Sequence, residues 1–293
     1  MDVVKFCITE LKSGVRWALN TFGVSRTAYY YRSKSNPVNE HLKQRITEIA
    51  CKHITYGYKL IHQRLMQEDK ISWNHKRIYR LYKELGLSQY KKTRLVKEKH
   101  EIKPLIQPLL PNLHWSMDFM HDRFGPGRKL RLLNVIDNFN REALLMHPAG
   151  SFTSNRVIQQ LHQLIEWRGK PESIRVDNGP EFIAERLKSF CKYHHIELDF
   201  ITPGKPTENA LIERFNKTVR QEVLNINYFP TLIDAKNIIE QWQYDYNNKR
   251  PHSGINNMTP YDFLLKYGKL HNPWLQAEFP TFQEEHNNYT FFY

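Results

Sequence analysis

The positive charge of this chain is confined to its first third. Residues 1–110 carry 22 lysines and arginines against 9 aspartates and glutamates, whereas residues 111–293 carry 21 of each. A membrane-surface helix would concentrate such an excess in one short amphipathic segment, and a merely soluble surface would mix both signs. The charge boundary therefore predicts at least two folding units, of which the first binds nucleic acid.

Other classes of protein are disfavoured by the composition. No apolar run approaches the roughly 20 residues that a membrane-spanning helix requires. The amino terminus, MDVVKFCITELKS, lacks the basic flank, apolar stretch and cleavage site of a secretory signal. The three cysteines, at positions 7, 51 and 191, cannot form a disulfide framework. We expect a reducing, cytoplasmic setting and no membrane partner.

Residues 1–36 contain a pattern typical of a helix-turn-helix. Between residues 16 and 31, Gly23 can supply the left-handed residue after a first helix, and Ser25 can cap the next one. An ordinary helical hairpin is the alternative, because the pattern alone does not distinguish the two.

Residues 37–87 form a second predicted helical DNA-binding module. One helix is expected from Tyr58 to Glu68; a second, capped by Ser72 or Asn74, is expected to run to Leu85. The apolar stripe of the second helix consists of Ile78, Leu81, Tyr82 and Leu85. Its remaining surface carries Lys76, Arg77, Arg80 and Lys83. This basic surface is either solvated or, as the charge of the region favours, bound to DNA.

A basic, proline-containing linker is predicted at residues 88–112. It contains Lys91 and Lys92, four further basic residues, and prolines at positions 104, 108 and 111. Like charges and prolines at this density favour a semi-extended segment, which can follow a phosphate backbone.

Residues 113–270 are predicted to form an α/β domain, which is followed by a tail at 271–293. Alternating and short apolar runs predict strands at 114–120, 130–136, 142–147, 173–176 and 196–201. Helices are expected at 153–169, between the last two strands, and from about 208 to 224. Three consecutive strands followed by alternation with helices predict a mixed sheet flanked by helices.

Three carboxylates occupy separate elements of this domain. Asp118 lies in the middle of a strand, Asp177 at the end of another, and Glu213 on a helix. Acids from separate elements can converge on Mg²⁺, which prefers oxygen ligands. On spacing alone, Asp118 could equally be an exposed strand residue, Asp177 a turn former, and Glu213 an acid favoured by the helix dipole.

The spacing of these acids closely resembles the DDE signature shared by retroviral integrases and related bacterial insertion-sequence transposases. The matching blocks are Trp115-x-x-Asp118, the run DNGPEF at 177–182, and Asn209-x-x-x-Glu213. Two further blocks resemble the transposases specifically: residues 55–62 with 74–81, and Tyr246-Asn247-x-x-Arg250-Pro251-His252 followed by Thr259-Pro260. The chain looks like the downstream-frame product of an insertion sequence that makes its transposase by frameshifting.

The resemblance implies a ribonuclease-H-like core in which Asp118, Asp177 and Glu213 hold two Mg²⁺ ions, with Mn²⁺ able to substitute. The residues implied to shape the site are Asn178, Gly179 and Asn209. Arg220, and with it Lys217 on the same helical face, would meet DNA phosphate. The implied partners are the terminal inverted repeats of the element, target DNA, further copies of the chain, and the upstream-frame product.

Two departures from the family pattern stand out. Many relatives have threonine two residues after the first aspartate, where this chain has Met120. The amino-terminal zinc module of retroviral integrases is absent, and the run from Cys191 to His195 is expected to end a helix and pack in the core rather than to bind zinc.

The implied reaction has two steps at one site. Water attacks a phosphodiester at the end of the element, and the freed 3′-hydroxyl then attacks a second phosphodiester, without a covalent protein–DNA link. Two alternatives remain open: a DNA-binding regulator that is inactive without the upstream-frame portion, and a ribonuclease-H-type nuclease. The nuclease would not need 22 basic residues across two helical modules.

The Tyr246–His252 block is predicted to form a structural corner. A helix capped by Thr231 should end at Asn247 and Asn248, because Pro251 blocks its continuation. Arg250 and His252 are then placed either to cap the helix carbonyls or to reach DNA phosphate.

Overall fold

The computed structural model describes residues 2–30, 37–88, 107–202 and 209–268. The first unit has three helices, α1 (Asp2–Thr9), α2 (Val15–Thr21) and α3 (Arg26–Tyr30). Gly23 has a φ of +61° between α2 and α3, and the Ser25 hydroxyl accepts a hydrogen bond from the Ala28 amide at 3.1 Å. The predicted turn and cap are therefore present, and α1 is an additional helix that the sequence patterns did not predict.

The second unit also contains three helices, α4 (Pro37–Lys52), α5 (Tyr58–Asp69) and α6 (His75–Glu84). Its separate core is formed by Leu42, Ile46, Ile49, Tyr56, Ile61, Leu65, Ile78, Leu81 and Tyr82. Asn74, rather than Ser72, caps α6 by accepting a hydrogen bond from the Lys76 amide at 2.9 Å. The long helix α4 was not predicted.

The third unit is built on a five-stranded mixed sheet, as predicted. Its strands are β1 (His114–Phe124), β2 (Arg128–Asp137), β3 (Ala143–Ala149), β4 (Ser173–Val176) and β5 (Glu197–Phe200). The spatial order is β3-β2-β1-β4-β5, with the first three strands antiparallel and β4 and β5 parallel to β1. Consecutive hairpins produce the antiparallel half, and crossover helices produce the parallel half.

Helices cover both faces of this sheet. On one face, α7 (Ser154–Arg168) and α8 (Glu185–Tyr193) close a core that includes Trp115 and Met117. On the other face, α9 (Ala210–Val219) and α10 (Leu232–Asn248) close a second core that includes Met120. β1 extends beyond its predicted alternating segment because residues 121–124 pair with residues 128–131 of β2.

Two helix ends differ in how well they match the sequence pattern. The helix expected to reach residue 224 is α-helical only as far as Val219, and Arg220–Leu224 form a π-helical turn. This wider turn changes the direction in which its side chains project. Thr231 caps α10 in a capping box with Asp234, as predicted. A final helix, α11 (Pro260–Tyr267), follows.

The second helical unit is attached to the third through α5. Arg64 donates a hydrogen bond to the carbonyl of Lys249, just beyond the end of α10, at 2.6 Å. The Arg64 side chain is 8% exposed and also pairs with Glu68 at 2.6 Å. Close by, the Arg250 guanidinium lies 5.9 Å from the ring centroid of Tyr56. A buried arginine from one unit therefore caps a helix of the other.

Within the described ranges, no helix combines the length and apolar character needed to cross a membrane.

Candidate active site

Three elements bring the predicted acids to one part of the sheet. In the parallel ladder, Ser116 of β1 is opposite Arg175 of β4. Continuing this register by two residues places Asp118 beside Asp177, on strands that are about 4.8 Å apart. Glu213 lies in the first turn of α9, which packs on β1 and β2. The three acids therefore lie in one region of the fold, although 59 and 36 positions separate them in the chain.

The electrostatics of Asp118 reflect this convergence. The pKa of Asp118 is raised to about 6, chiefly by burial and also by the negative charges of Asp177 and Glu213, while hydrogen bonds from the Phe119 amide and from Asn216 oppose the rise. The charged forms of the three acids therefore repel one another, and a cation would offset this repulsion.

A pair of asparagines holds Asp118 in place. The Asn216 side-chain amide donates to Oδ2 of Asp118 at 2.7 Å. Asn134, which is fully buried in β2, donates in turn to Oδ1 of Asn216 at 2.7 Å. Asn216 is three residues after Glu213, so the helical period could have identified it as a site residue. Asn134 had no such signal.

The turn after β4 positions Asp177. Its Oδ1 accepts a hydrogen bond from the Gly179 amide at 3.0 Å, and Asn178 donates to the carbonyl of Ile201 at 2.9 Å. A Cβ on Gly179 would lie only 2.9 Å from Oδ1 of Asp177, so a larger residue there would displace the Asp177 carboxylate. Asn209 is 4% exposed immediately before α9, and its side chain does not cap that helix.

An aromatic stack packs against the turn that carries Asp177. The rings of Phe119 and Phe182 stack at 5.1 Å, and the guanidinium of Arg131 lies 4.2 Å from the Phe119 ring centroid. Arg131 also pairs with Glu181, and this pairing lowers the pKa of Glu181. Arg131 therefore ties β2 to the turn that carries Asp177. The aromatic stack, the contact of Arg131 with the Phe119 ring and the Arg131–Glu181 pair were not predicted from the sequence.

The chemistry of the three acids fits a hard divalent cation. All three offer carboxylate oxygens, which Mg²⁺ prefers, and their mutual repulsion is relieved by positive charge. The fit is one of chemistry and not of assembled geometry: within the described ranges no three His, Cys, Asp or Glu side chains, the three acids included, form a group that could hold a metal ion. Cys191 is buried in the core beside α7, and burial raises the pKa of its thiol to about 12.

The predicted DNA contacts lie in different environments. Lys76, Arg80 and Lys83 are exposed on α6, and Lys217 is exposed on α9. Arg77 is half-buried and donates to Asn39 at 2.9 Å. Arg220 pairs with Asp122 and donates to the carbonyl of His121. Lys91 and Lys92 lie outside the described residues. The DNA contacts stay predictions.

The sequence also matches models of known families. Residues 37–94 match an HTH-like domain, and residues 108–206 and 194–260 match two models of an integrase core domain. The sheet order, the flanking helices and these matches define an integrase-core protein with a ribonuclease-H-like fold, preceded by a helix-turn-helix-like domain.

Relatives narrow the class further. The 31.7 kDa protein of insertion element IS407 from Burkholderia multivorans is 36% identical over 86% of this chain and 91% of its own length. Transposase InsD of an Escherichia coli insertion element is 26% identical over 75% of this chain and 77% of its own. The chain belongs to the insertion-sequence transposase family that combines an HTH-like domain with an integrase core.

Solved structures share the fold. A simian T-cell lymphotropic virus intasome, determined in complex with a PP2A regulatory subunit, is 20% identical, with a TM-score of 0.50 over 73% of this chain and 75% of that chain.

Proposed function

We propose that this protein binds the ends of an insertion sequence and catalyses metal-dependent cleavage and transfer of DNA strands. The observation that carries the proposal is the convergence of Asp118, Asp177 and Glu213, whose charges act on one another, within an integrase core. Acids from separate elements whose charges repel one another are typical of sites for divalent cations.

The chain's own residues have distinct roles in this reaction. Asp118, Asp177 and Glu213 would hold two Mg²⁺ ions, or Mn²⁺ in their place. When bound, such ions activate an attacking oxygen and stabilise the leaving one. Asn216 fixes the orientation of Asp118 through its 2.7 Å hydrogen bond. Asn178 and Gly179 hold the turn that presents Asp177, and positioning of the DNA contributes much of the effect.

The helical units supply affinity for DNA in this proposal. Residues 1–36 and 37–87 act as DNA-binding modules, 88–112 as the linker between them and the catalytic core, 113–270 as that core, and 271–293 as a tail. The exposed basic residues of α6 contact phosphates at the terminal inverted repeats. The core then engages target DNA, in a homo-oligomer or together with an upstream-frame product, in the cytoplasm.

The test is a strand-cleavage and strand-joining assay on DNA carrying the element ends, in Mg²⁺. Asp118→Asn, Asp177→Asn and Glu213→Gln are each expected to abolish both steps while DNA binding stays within about twofold of wild type, because affinity comes from the basic units. Glu166→Gln is a matched control, because Glu166 is exposed near the end of α7, on the opposite face of the sheet from α9. Wild-type turnover by any of the three variants would remove that residue from the site.

A comparison of substrates separates the alternatives. A regulator of transposition would bind end DNA without cleaving it in Mg²⁺. A ribonuclease-H-type nuclease would prefer an RNA–DNA hybrid to duplex DNA, whereas a transposase requires the duplex.

A further inference from the structure

A polar cavity of about 390 Å³ lies on the other side of α9 from Asp118. It is enclosed by α9, the end of α10, the turn that follows α10, and the turn between β2 and β3. Its polar lining consists of Arg141, Arg214, Thr218, Arg250, His252 and Ser253. No carboxylate from the described part of the chain lines it.

The arginines of this cavity differ in how their charges are balanced. Arg250 pairs with Glu222 at 2.7 Å. Arg141 is half-buried and donates to the carbonyl of Asn138 at 2.9 Å, and Arg214 is exposed at the rim. Neither Arg141 nor Arg214 takes part in any of the ion pairs formed within the described ranges. Burial lowers the pKa of Arg141, and the charges of Tyr246 and Asp137 only partly oppose this decrease.

His252 adds a hydrogen-bonding group but no charge. The pKa of His252 is lowered to about 3, chiefly by burial and also by the charges of Arg250, Arg141 and Arg214. The ring is therefore neutral at physiological pH, with Nε2 3.3 Å from the carbonyl of Tyr246. Three arginines act on one buried ring, so positive potential is concentrated in the cavity.

We propose that this cavity binds a phosphate group of the DNA backbone. The donors that phosphate oxygens can accept from are the guanidinium groups of Arg141 and Arg214, which form no ion pairs within the described ranges, and the hydroxyl group of Ser253. The Thr218 hydroxyl already donates to the carbonyl of Arg214 at 3.0 Å. A bound phosphate would offset the cost of keeping the charge of Arg141 partly buried.

The position of the cavity indicates DNA rather than a free anion. Arg214 follows Glu213 directly in α9, and Thr218 lies one turn further along the cavity side of that helix. Asn216, on the opposite side, contacts Asp118. A strand whose cleaved bond lies at the acids can therefore place another of its phosphates in the cavity. This inference rests on the proposed function.

The experiment measures binding of the full chain to a double-stranded DNA oligonucleotide over a range of salt concentrations. Arg214→Gln is expected to weaken binding and to reduce the log–log salt slope by roughly 0.9, the value for one phosphate contact. Arg214 is exposed, so the variant should melt like wild type. Arg128→Gln is the matched control: Arg128 is exposed at the opposite end of β2 from the cavity and should leave the slope unchanged.

The outcomes distinguish this inference from the proposed function. An unchanged slope for Arg214→Gln, or an equal decrease for Arg128→Gln, would overturn the cavity as a phosphate site while leaving transposition intact. Failure of the wild type to bind the duplex would overturn both.

A second arm separates DNA phosphate from a free anion. Thermal melting in inorganic phosphate is compared with melting in chloride at equal ionic strength. If phosphate stabilised the wild type but not Arg214→Gln, while both bound duplex DNA with the same salt slope, the cavity would be a site for a free anion and the DNA assignment would be wrong.

Discussion

Replacement of Arg250 by alanine is expected to act mainly through stability. Arg250 and Glu222 form an ion pair at 2.7 Å, with side chains only 14% and 10% exposed. The guanidinium also lies within 6 Å of the Tyr56 and Tyr246 ring centroids. In Arg250→Ala the Glu222 carboxylate stays buried and keeps the hydrogen bond from the indole N–H of Trp242 at 3.3 Å.

The size of the effect follows from the burial of the pair. Removing one partner of a buried ion pair costs about 3–5 kcal/mol, because the other charge is left uncompensated. For a domain of this size, each kcal/mol lowers the melting temperature by about 2–4 °C. We therefore expect Arg250→Ala to melt about 6–20 °C below wild type.

A double variant and calorimetry test the reasoning. Arg250→Met combined with Glu222→Leu removes both charges and should recover more than half of the loss, because a buried pair can be replaced by apolar groups at little net cost. An Arg250→Ala protein that melts like wild type but no longer joins strands would contradict the stability argument and make Arg250 a substrate contact.

Three further predictions concern neighbouring features. Tyr246→Ala should destabilise the protein by about 3–5 kcal/mol in urea unfolding, since this 5% exposed ring packs against Phe215 at 5.1 Å; a loss below about 1 kcal/mol would contradict it. Arg131→Met should slow strand cleavage in the Mg²⁺ assay at unchanged DNA affinity, because Arg131 supports the turn that holds Asp177; wild-type cleavage would exclude that role. His252 has a pKa of about 3 in the folded state against 6.5 in the unfolded chain, so the wild type should lose stability as the pH falls from 6.5 to 3, because the unfolded state takes up the proton first. In urea unfolding at a series of pH values, His252→Gln should show a smaller loss of stability over this range. An equal loss in the variant would refute the assignment.

Local signals predicted the order of elements well. Gly23, Ser25, Asn74 and Thr231 occupy the turn and cap positions that their backbone preferences favour. The strand at residue 114 and its partners follow from short apolar runs, and the mixed sheet follows from their order along the chain. Such features depend on a few neighbouring residues, so a single sequence contains them.

Two helices and one turn were missed for different reasons. The period of Leu42, Ile46 and Ile49 in α4 is visible in the sequence, so that helix could have been predicted. The helix α1 is only eight residues long and gives a weaker signal. The π-helical turn after Val219 has no sequence pattern of its own, because it depends on packing against other elements.

The candidate site was only partly accessible from the sequence. Asp118, Asp177 and Glu213 could be named from a family pattern. Most of their support could not, because Asn134 meets Asn216 across 82 positions and Arg131 meets Glu181 across 50. Long-range pairs of polar side chains have no period, and only the folded chain determines them.

The contact between Arg64 and the Lys249 carbonyl has a consequence for the DNA. It attaches the unit that contains α6 to α10, and α10 packs against the strand β3 of the sheet that contains Asp118. A duplex held along α6 would therefore meet the acids at one distance and one rotational setting. Extra base pairs amounting to half a helical turn, placed between the bound sequence and the attacked bond, would present the wrong side of the duplex. The protein would thus require a fixed spacing between the bound sequence and the attacked bond, whatever the base sequence of the DNA between them.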